Sequence, residues 1–108
     1  MTGWLYMAAA IVLEIGGTTA LKMSDGLSRL APSFAVVVLY AGSFACLAFA
    51  LKEVELGVAY AVWSGLGTAA IAAIGILVFG ESVSALKLAS LALVIAGVVG
   101  LNLAEAKP

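Results

Sequence analysis

Four long apolar runs, separated only by short polar punctuation, decide what this chain can fold into. They cover about residues 3–21, 33–51, 57–79 and 85–103. Each has about the 20 residues that a helix needs to cross the hydrocarbon of a bilayer. Of 108 residues, 65% are hydrophobic and 10% charged, against about 45–50% apolar and about 25% charged in a soluble domain. A chain this small could not cover so much apolar surface with polar groups, which excludes soluble globular and disordered classes. The runs are continuous, whereas barrel strands of about ten residues would alternate in and out. The expected fold is all-α: an integral membrane protein whose residues 1–108 form a single transmembrane domain of four helices.

The punctuation locates the helix ends. Lys22 to Pro32 reads as a loop, with Gly26 as a helix C′ residue and Pro32 in the first turn of the second span. Lys52-Glu53-Val54-Glu55-Leu56 is short enough to demand an antiparallel helical hairpin. Gly80-Glu81-Ser82-Val83 ends the third span, Ser84 is the expected N-cap of the fourth, and Glu105-Ala106-Lys107-Pro108 reads as a polar tail. The opening stretch has no basic n-region and stays apolar beyond Ala8-Ala9-Ala10, so it reads as a span and not a cleavable signal. Four spans place Lys52 and Lys107 on one side of the membrane and Lys22, Arg29 and Lys87 on the other. Basic residues set topology, and two against three is nearly even. Either the chain has one weakly preferred orientation, or it inserts both ways and its copies pair antiparallel. Dual topology is the expectation.

The polar residues inside the spans carry the chemistry. Net charge is −1, which leaves no basic footprint for nucleic acid. Histidine is absent and Cys46 is the lone cysteine. No intrachain disulfide, zinc site or Ser/His or Cys/His nucleophile can be built from one copy. No metal, no cofactor and no enzyme activity are expected. Glu14 falls at the middle of the first span, where an ionisable group costs about 2.5–3.5 kcal/mol on insertion scales. A buried ion pair would explain it, but all five basic residues lie at span ends or in loops. Its partner is then a proton or a cation that arrives from outside. Burial favours the neutral form of a carboxyl and a nearby cation favours the ionised form. One residue can therefore hold either, each displacing the other.

The surroundings suit a cation. Tyr40 and Ser43 are three apart on the second span and share a face; Tyr60, Trp63 and Ser64 do so on the third. Aromatic faces attract desolvated cations by about 2 kcal/mol or more. Trp4 and Tyr6 fit the interfacial belt, whereas Tyr40 and Trp63 are set about seven residues into their spans. On the fourth span Ser90 and Gly97 are seven apart, with Ala96 and Gly100 nearby, a small-residue face for dimer packing. Ser64-Gly65-Leu66-Gly67 serves packing or a kink; as a phosphate loop it fails, being inside an apolar span with no lysine after it.

Together these residues resemble the small multidrug resistance family of bacterial exporters over essentially the whole chain. The likeness rests on three stretches. The first is Leu13-Glu14-Ile15-Gly16-Gly17-Thr18-Thr19. The second is the loop with Lys22, Ser24, Gly26, Arg29-Leu30 and Pro32-Ser33. The third is the run from Gly57 through Tyr60-Ala61-Val62-Trp63-Ser64 to Gly67. The resemblance implies an antiparallel homodimer in the bacterial inner membrane that exchanges external protons for internal cations through a shared glutamate. It maps onto Glu14 as proton and substrate site, Tyr40, Tyr60 and Trp63 as aromatic lining, and Ser43 as a hydrogen-bonding neighbour. The family's guanidinium exporters typically carry tryptophan three residues after the glutamate and glycine three before; here those positions are Gly17 and Ile11. With Tyr40, this is similar to the branch that exports quaternary ammonium and polyaromatic cations. That branch often has glycine where this chain has Ser90. A guanidinium-type exporter, a small cation channel and a packing subunit of a larger complex stay open as alternatives.

Overall fold

A computed structural model describes residues 2–106; Lys107, counted above in the charge balance, and Pro108 lie outside the described residues. The described chain forms four helices: α1 (Thr2–Met23), α2 (Leu30–Ala50), α3 (Leu56–Val78) and α4 (Ala85–Ala106). All four are long and apolar enough to cross a membrane. At about 1.5 Å per residue, each spans at least the ~30 Å of the hydrocarbon core. α4 runs through the first two residues of the expected polar tail, so the helix outlasts the apolar run. The chain divides into two compact units, residues 1–54 and 55–108, each a helical hairpin.

In the first hairpin, Gly3, Met7, Ala10 and Gly17 are buried along one stripe of α1, and Val36, Ser43 and Ala50 along one of α2. Small residues sit where the helices come closest. A Cβ on Gly17 would lie 2.7 Å from the Tyr40 ring, and one on Gly42 would lie 3.2 Å from Leu13. Ser43, fully buried, donates its hydroxyl to the Ala10 carbonyl at 2.7 Å. At the far end the Glu53 carboxylate accepts from the Gly3 amide at 3.0 Å. That satisfies one of the four N–H groups a helix start leaves open and puts negative charge at the favourable end of the helix dipole. Tyr6 packs on Phe49 with ring centroids 5.2 Å apart, and Lys52 Nζ stands 5.5 Å over the Phe49 ring.

The α1–α2 connection differs from expectation in two details. Gly26 is left-handed, but so are Asp25 before it and Leu27 after it, with φ of 50°, 69° and 68° in order. Ser24, wholly buried, holds this turn together. Its hydroxyl donates to the Leu21 carbonyl and accepts from the Leu27 amide, while its own carbonyl accepts from the Ser28 and Arg29 amides. α2 then begins at Leu30, three residues before the apolar run, because the Arg29 carbonyl already accepts from the Ser33 amide.

The second hairpin is held at Gly65, where a Cβ would meet Val98 at 2.7 Å and Val94 at 3.4 Å. The Ser64-to-Gly67 stretch thus serves close packing inside an unbroken α3. Beyond α3 the chain turns at Gly80, at φ 68°, and both Phe79 and Glu81 donate their amides to the Gly75 carbonyl. Ser84 caps α4 as its sequence position suggests, its hydroxyl accepting from the Lys87 amide at 3.1 Å. Overpacking a seam costs about 1–3 kcal/mol. Gly65→Leu should lower stability by that amount, and Val98→Ala in the same chain should recover part of it. Thermal unfolding in detergent would read both, and strictly additive losses would mean the two positions do not share a seam.

Candidate functional site

Glu14 lies within about 3 Å, along the helix axis, of the midpoint of α1. It occupies the same stripe as Gly3, Met7, Ala10 and Gly17, and is half-buried. Neither hairpin helix brings a basic residue to this depth: α2 has no charged residue, and Lys22 stands two turns further along α1. A hydroxyl meets the carboxylate instead. Thr18, one turn on, donates to Glu14 Oε2 at 2.5 Å. The same Thr18 oxygen is 2.5 Å from the Tyr40 hydroxyl on α2. Glu14, Thr18 and Tyr40 thus form one hydrogen-bonded chain at mid-helix depth.

The neighbouring threonine shows what Thr18 forgoes. Thr19 turns its hydroxyl back onto the Ile15 carbonyl of its own helix at 2.8 Å. Thr18 joins two helices. The only trace of this role in the sequence is its i+4 spacing from Glu14. Tyr40 reaches it because Gly17 has no side chain: the Tyr40 ring lies 2.7 Å from where a Cβ would be, too close for one.

Of the other expected site residues, Ser43 is one turn away, bonded to the Ala10 carbonyl and not to the carboxylate. Tyr60 and Trp63 form a tilted pair on α3, centroids 5.8 Å apart at 52°. Helical rotation of about 100° per residue puts both on the side of α3 opposite Gly65, away from α4. Tyr60 is 61% exposed within its chain. Ser64 bonds back to the Tyr60 carbonyl at 2.8 Å. Ser90 and Gly97 are exposed on α4, and a Cβ on Gly97 would meet nothing within 4 Å. Among the described residues, no three His, Cys, Asp or Glu side chains gather as a metal site would need.

A profile of the family described as Small Multidrug Resistance protein matches residues 2–94. This chain belongs to the small multidrug resistance family. Multidrug resistance protein EbrB of Bacillus subtilis is 48% identical over 106 residues, covering 98% of this chain and 91% of its own. The quaternary ammonium compound-resistance protein QacE of Escherichia coli is 47% identical over 103 residues, 95% of this chain and 94% of its own. A guanidinium exporter of Escherichia coli K12 is 43% identical over 100 residues, 93% and 95% of the two chains. Members of the small multidrug resistance family are transporters, so this is a multi-pass membrane transporter and not an enzyme.

Within this family member, the Ser43 bond holds α2 against the turn of α1 that precedes Glu14. A net hydrogen bond contributes about 0.5–1.5 kcal/mol, and Ala10 keeps its helical partner when Ser43 is lost. Ser43→Ala should therefore cost about 1 kcal/mol of stability in denaturant titrations in detergent, while Ser43→Val, which overfills the seam, should cost more.

Proposed function

We propose that this chain exports lipophilic and quaternary ammonium cations across the bacterial inner membrane in exchange for protons. Glu14 binds either the proton or the cation, and the exclusivity of that choice couples the two flows. The observation that carries this reading is a carboxylate at the middle of a span-length helix, bonded to the Thr18 hydroxyl and through it to Tyr40, with no basic residue beside it on α1 or α2. Tyr40, Tyr60 and Trp63 line the cation's path, and Ser43 supports the hairpin that carries Glu14. Relatives named for quaternary ammonium compounds and for guanidinium are similarly close; Gly17 and Tyr40, which leave the bulk at this site to one phenol ring, support the former class.

The functional unit in this proposal is an antiparallel homodimer of dual topology, with the two hairpins of each copy acting as one transmembrane domain. One copy has four helices and one Glu14, little wall for enclosing a polyaromatic cation. An oppositely inserted second copy supplies the inverted repeat from which larger transporters build alternating access. The open Ser90 and Gly97 positions of α4 are where the copies pack.

Proton-coupled uptake by purified protein in liposomes tests the mechanism. Glu14→Gln should abolish coupled transport, because an amide exchanges no proton, and wild-type cation affinity should rise with pH. Affinity independent of pH would sink the competition. Current without obligatory exchange would favour a channel, and transport of guanidinium over quaternary ammonium would reassign the substrate. Trp63→Ala should weaken cation binding about thirtyfold, the equivalent of a lost cation–π contact of about 2 kcal/mol, and Trp4→Ala far less. Adding two lysines to either side should fix orientation and depress activity, and coexpression of two oppositely biased variants should restore it. Full activity from one biased variant alone would replace the antiparallel pair with a parallel one.

A further inference from the structure

We infer that Thr18 is a positioning residue that ties the direction of the Tyr40 hydroxyl to the protonation state of Glu14, with Gly17 as the notch that lets the phenol reach it. The inference rests on proton–cation exchange at Glu14 and deepens it. A threonine hydroxyl has one hydrogen and two acceptor lone pairs. Here it meets two oxygens, Glu14 Oε2 and Tyr40 Oη, each at 2.5 Å. It can donate to only one of them.

An ionised carboxylate only accepts. With Glu14 charged, Thr18 must donate to it, and Tyr40 must donate to Thr18. The phenol hydrogen then points inward and its lone pairs face outward, the orientation a cation prefers. With a proton on Oε2, Glu14 donates into the Thr18 lone pair. The Thr18 hydrogen turns to Tyr40, and the phenol hydrogen swings outward, presenting its positive end to any arriving cation. Each hydroxyl keeps its own hydrogen and rotates about its C–O bond; no proton leaves the chain. Protonation thereby makes the site unfavourable to a cation at two residues instead of one. The ionisable groups of α1 and α2 besides Glu14 and Tyr40 are Tyr6, Lys22 and Cys46 in the helices, none bonded to this chain.

The geometry depends on Gly17. A Cβ there would lie 2.7 Å from Tyr40 Cδ1 and 2.8 Å from Cε1, so any side chain must push the ring off Thr18. The Thr18–Glu14 bond, within α1, needs no such room.

Tetraphenylphosphonium, a lipophilic cation with no hydrogen-bond donor, is the probe, and its binding to the purified protein is measured across pH. Losing a hydrogen bond to a charged group is worth about a tenfold effect or more. Thr18→Val should therefore weaken binding about tenfold where proton and cation compete, and the loss should shrink as pH is raised. Thr18→Ser should restore the wild-type profile. Tyr40→Phe should add nothing to Thr18→Val at low pH beyond its pH-independent loss. A Thr18→Val loss equal at every pH, or no loss, would overturn the coupling while leaving exchange at Glu14 intact. A wild-type profile flat with pH would overturn both. Infrared spectra of the unmutated protein with isotopically labelled tyrosine give a second check, independent of binding. The Tyr40 C–O band, assigned by its absence in Tyr40→Phe, should switch between donor and acceptor positions as Glu14 titrates. In Gly17→Ala it should not. A band unchanged through that titration in the unmutated protein would also overturn the coupling.

Discussion

Lipid offers polar groups nothing to bond with, so the hairpin around Glu14 depends on how closely α1 and α2 approach. Apolar side chains gain little by leaving lipid for protein, and association in a bilayer rests on packing and hydrogen bonding. Ala10, Gly17 and Gly42 keep the facing surfaces low, and the Ser43 hydroxyl spans the gap to a backbone carbonyl. The same closeness sets the Tyr40 ring over Gly17 and its hydroxyl on Thr18. The polar chain at mid-depth is thus a consequence of the small residues beside it. A larger side chain at 17 would part the phenol from Thr18 without touching an oxygen of the chain.

The second hairpin uses the same device once, at Gly65 against Val98, and buries less. Within the structure 22% of the first span is buried but only 6% of the fourth. α4 therefore presents most of its circumference outward, including Ser90 and Gly97. Under the proposed dimer these open positions take up a second copy, which would bury the small-residue face that one chain leaves uncovered.

Helix limits were legible because polar punctuation and apolar runs coincide: the first span, about 3–21 in sequence, is Thr2–Met23 in the fold. Where local bonding decides, they moved. α2 starts at Leu30 because Arg29 and Ser33 close a turn that hydropathy does not register. Gly26 was the evident left-handed residue, yet the turn needs three, and Asp25 and Leu27 join it. Asp tolerates that region; Leu pays about 1–2 kcal/mol there, and the cost is met by the bonds on Ser24, which no single-residue preference predicts. Glu14 stood out by depth alone. Thr18 did not, because spacing places it on the face of Glu14 but cannot say whether its hydroxyl folds back, as that of Thr19 does, or reaches outward. That choice belongs to Tyr40, on another helix.

The chemistry of that choice explains why hydroxyls, and not a basic residue, accompany Glu14. A lysine or arginine has donors only. Paired with Glu14 it would satisfy the ionised form and leave the protonated form with an uncompensated buried charge, a penalty of about 3–5 kcal/mol in buried pairs that lose a partner. Such a site would hold one state. A hydroxyl donates to a carboxylate and accepts from a carboxylic acid, so Thr18 remains bonded in both. Neither form then strands a polar group, for which the cost is about 1–3 kcal/mol. The proposed exchange of proton for cation at Glu14 needs the two states close in energy, and a hydroxyl that can bond to either form keeps them so.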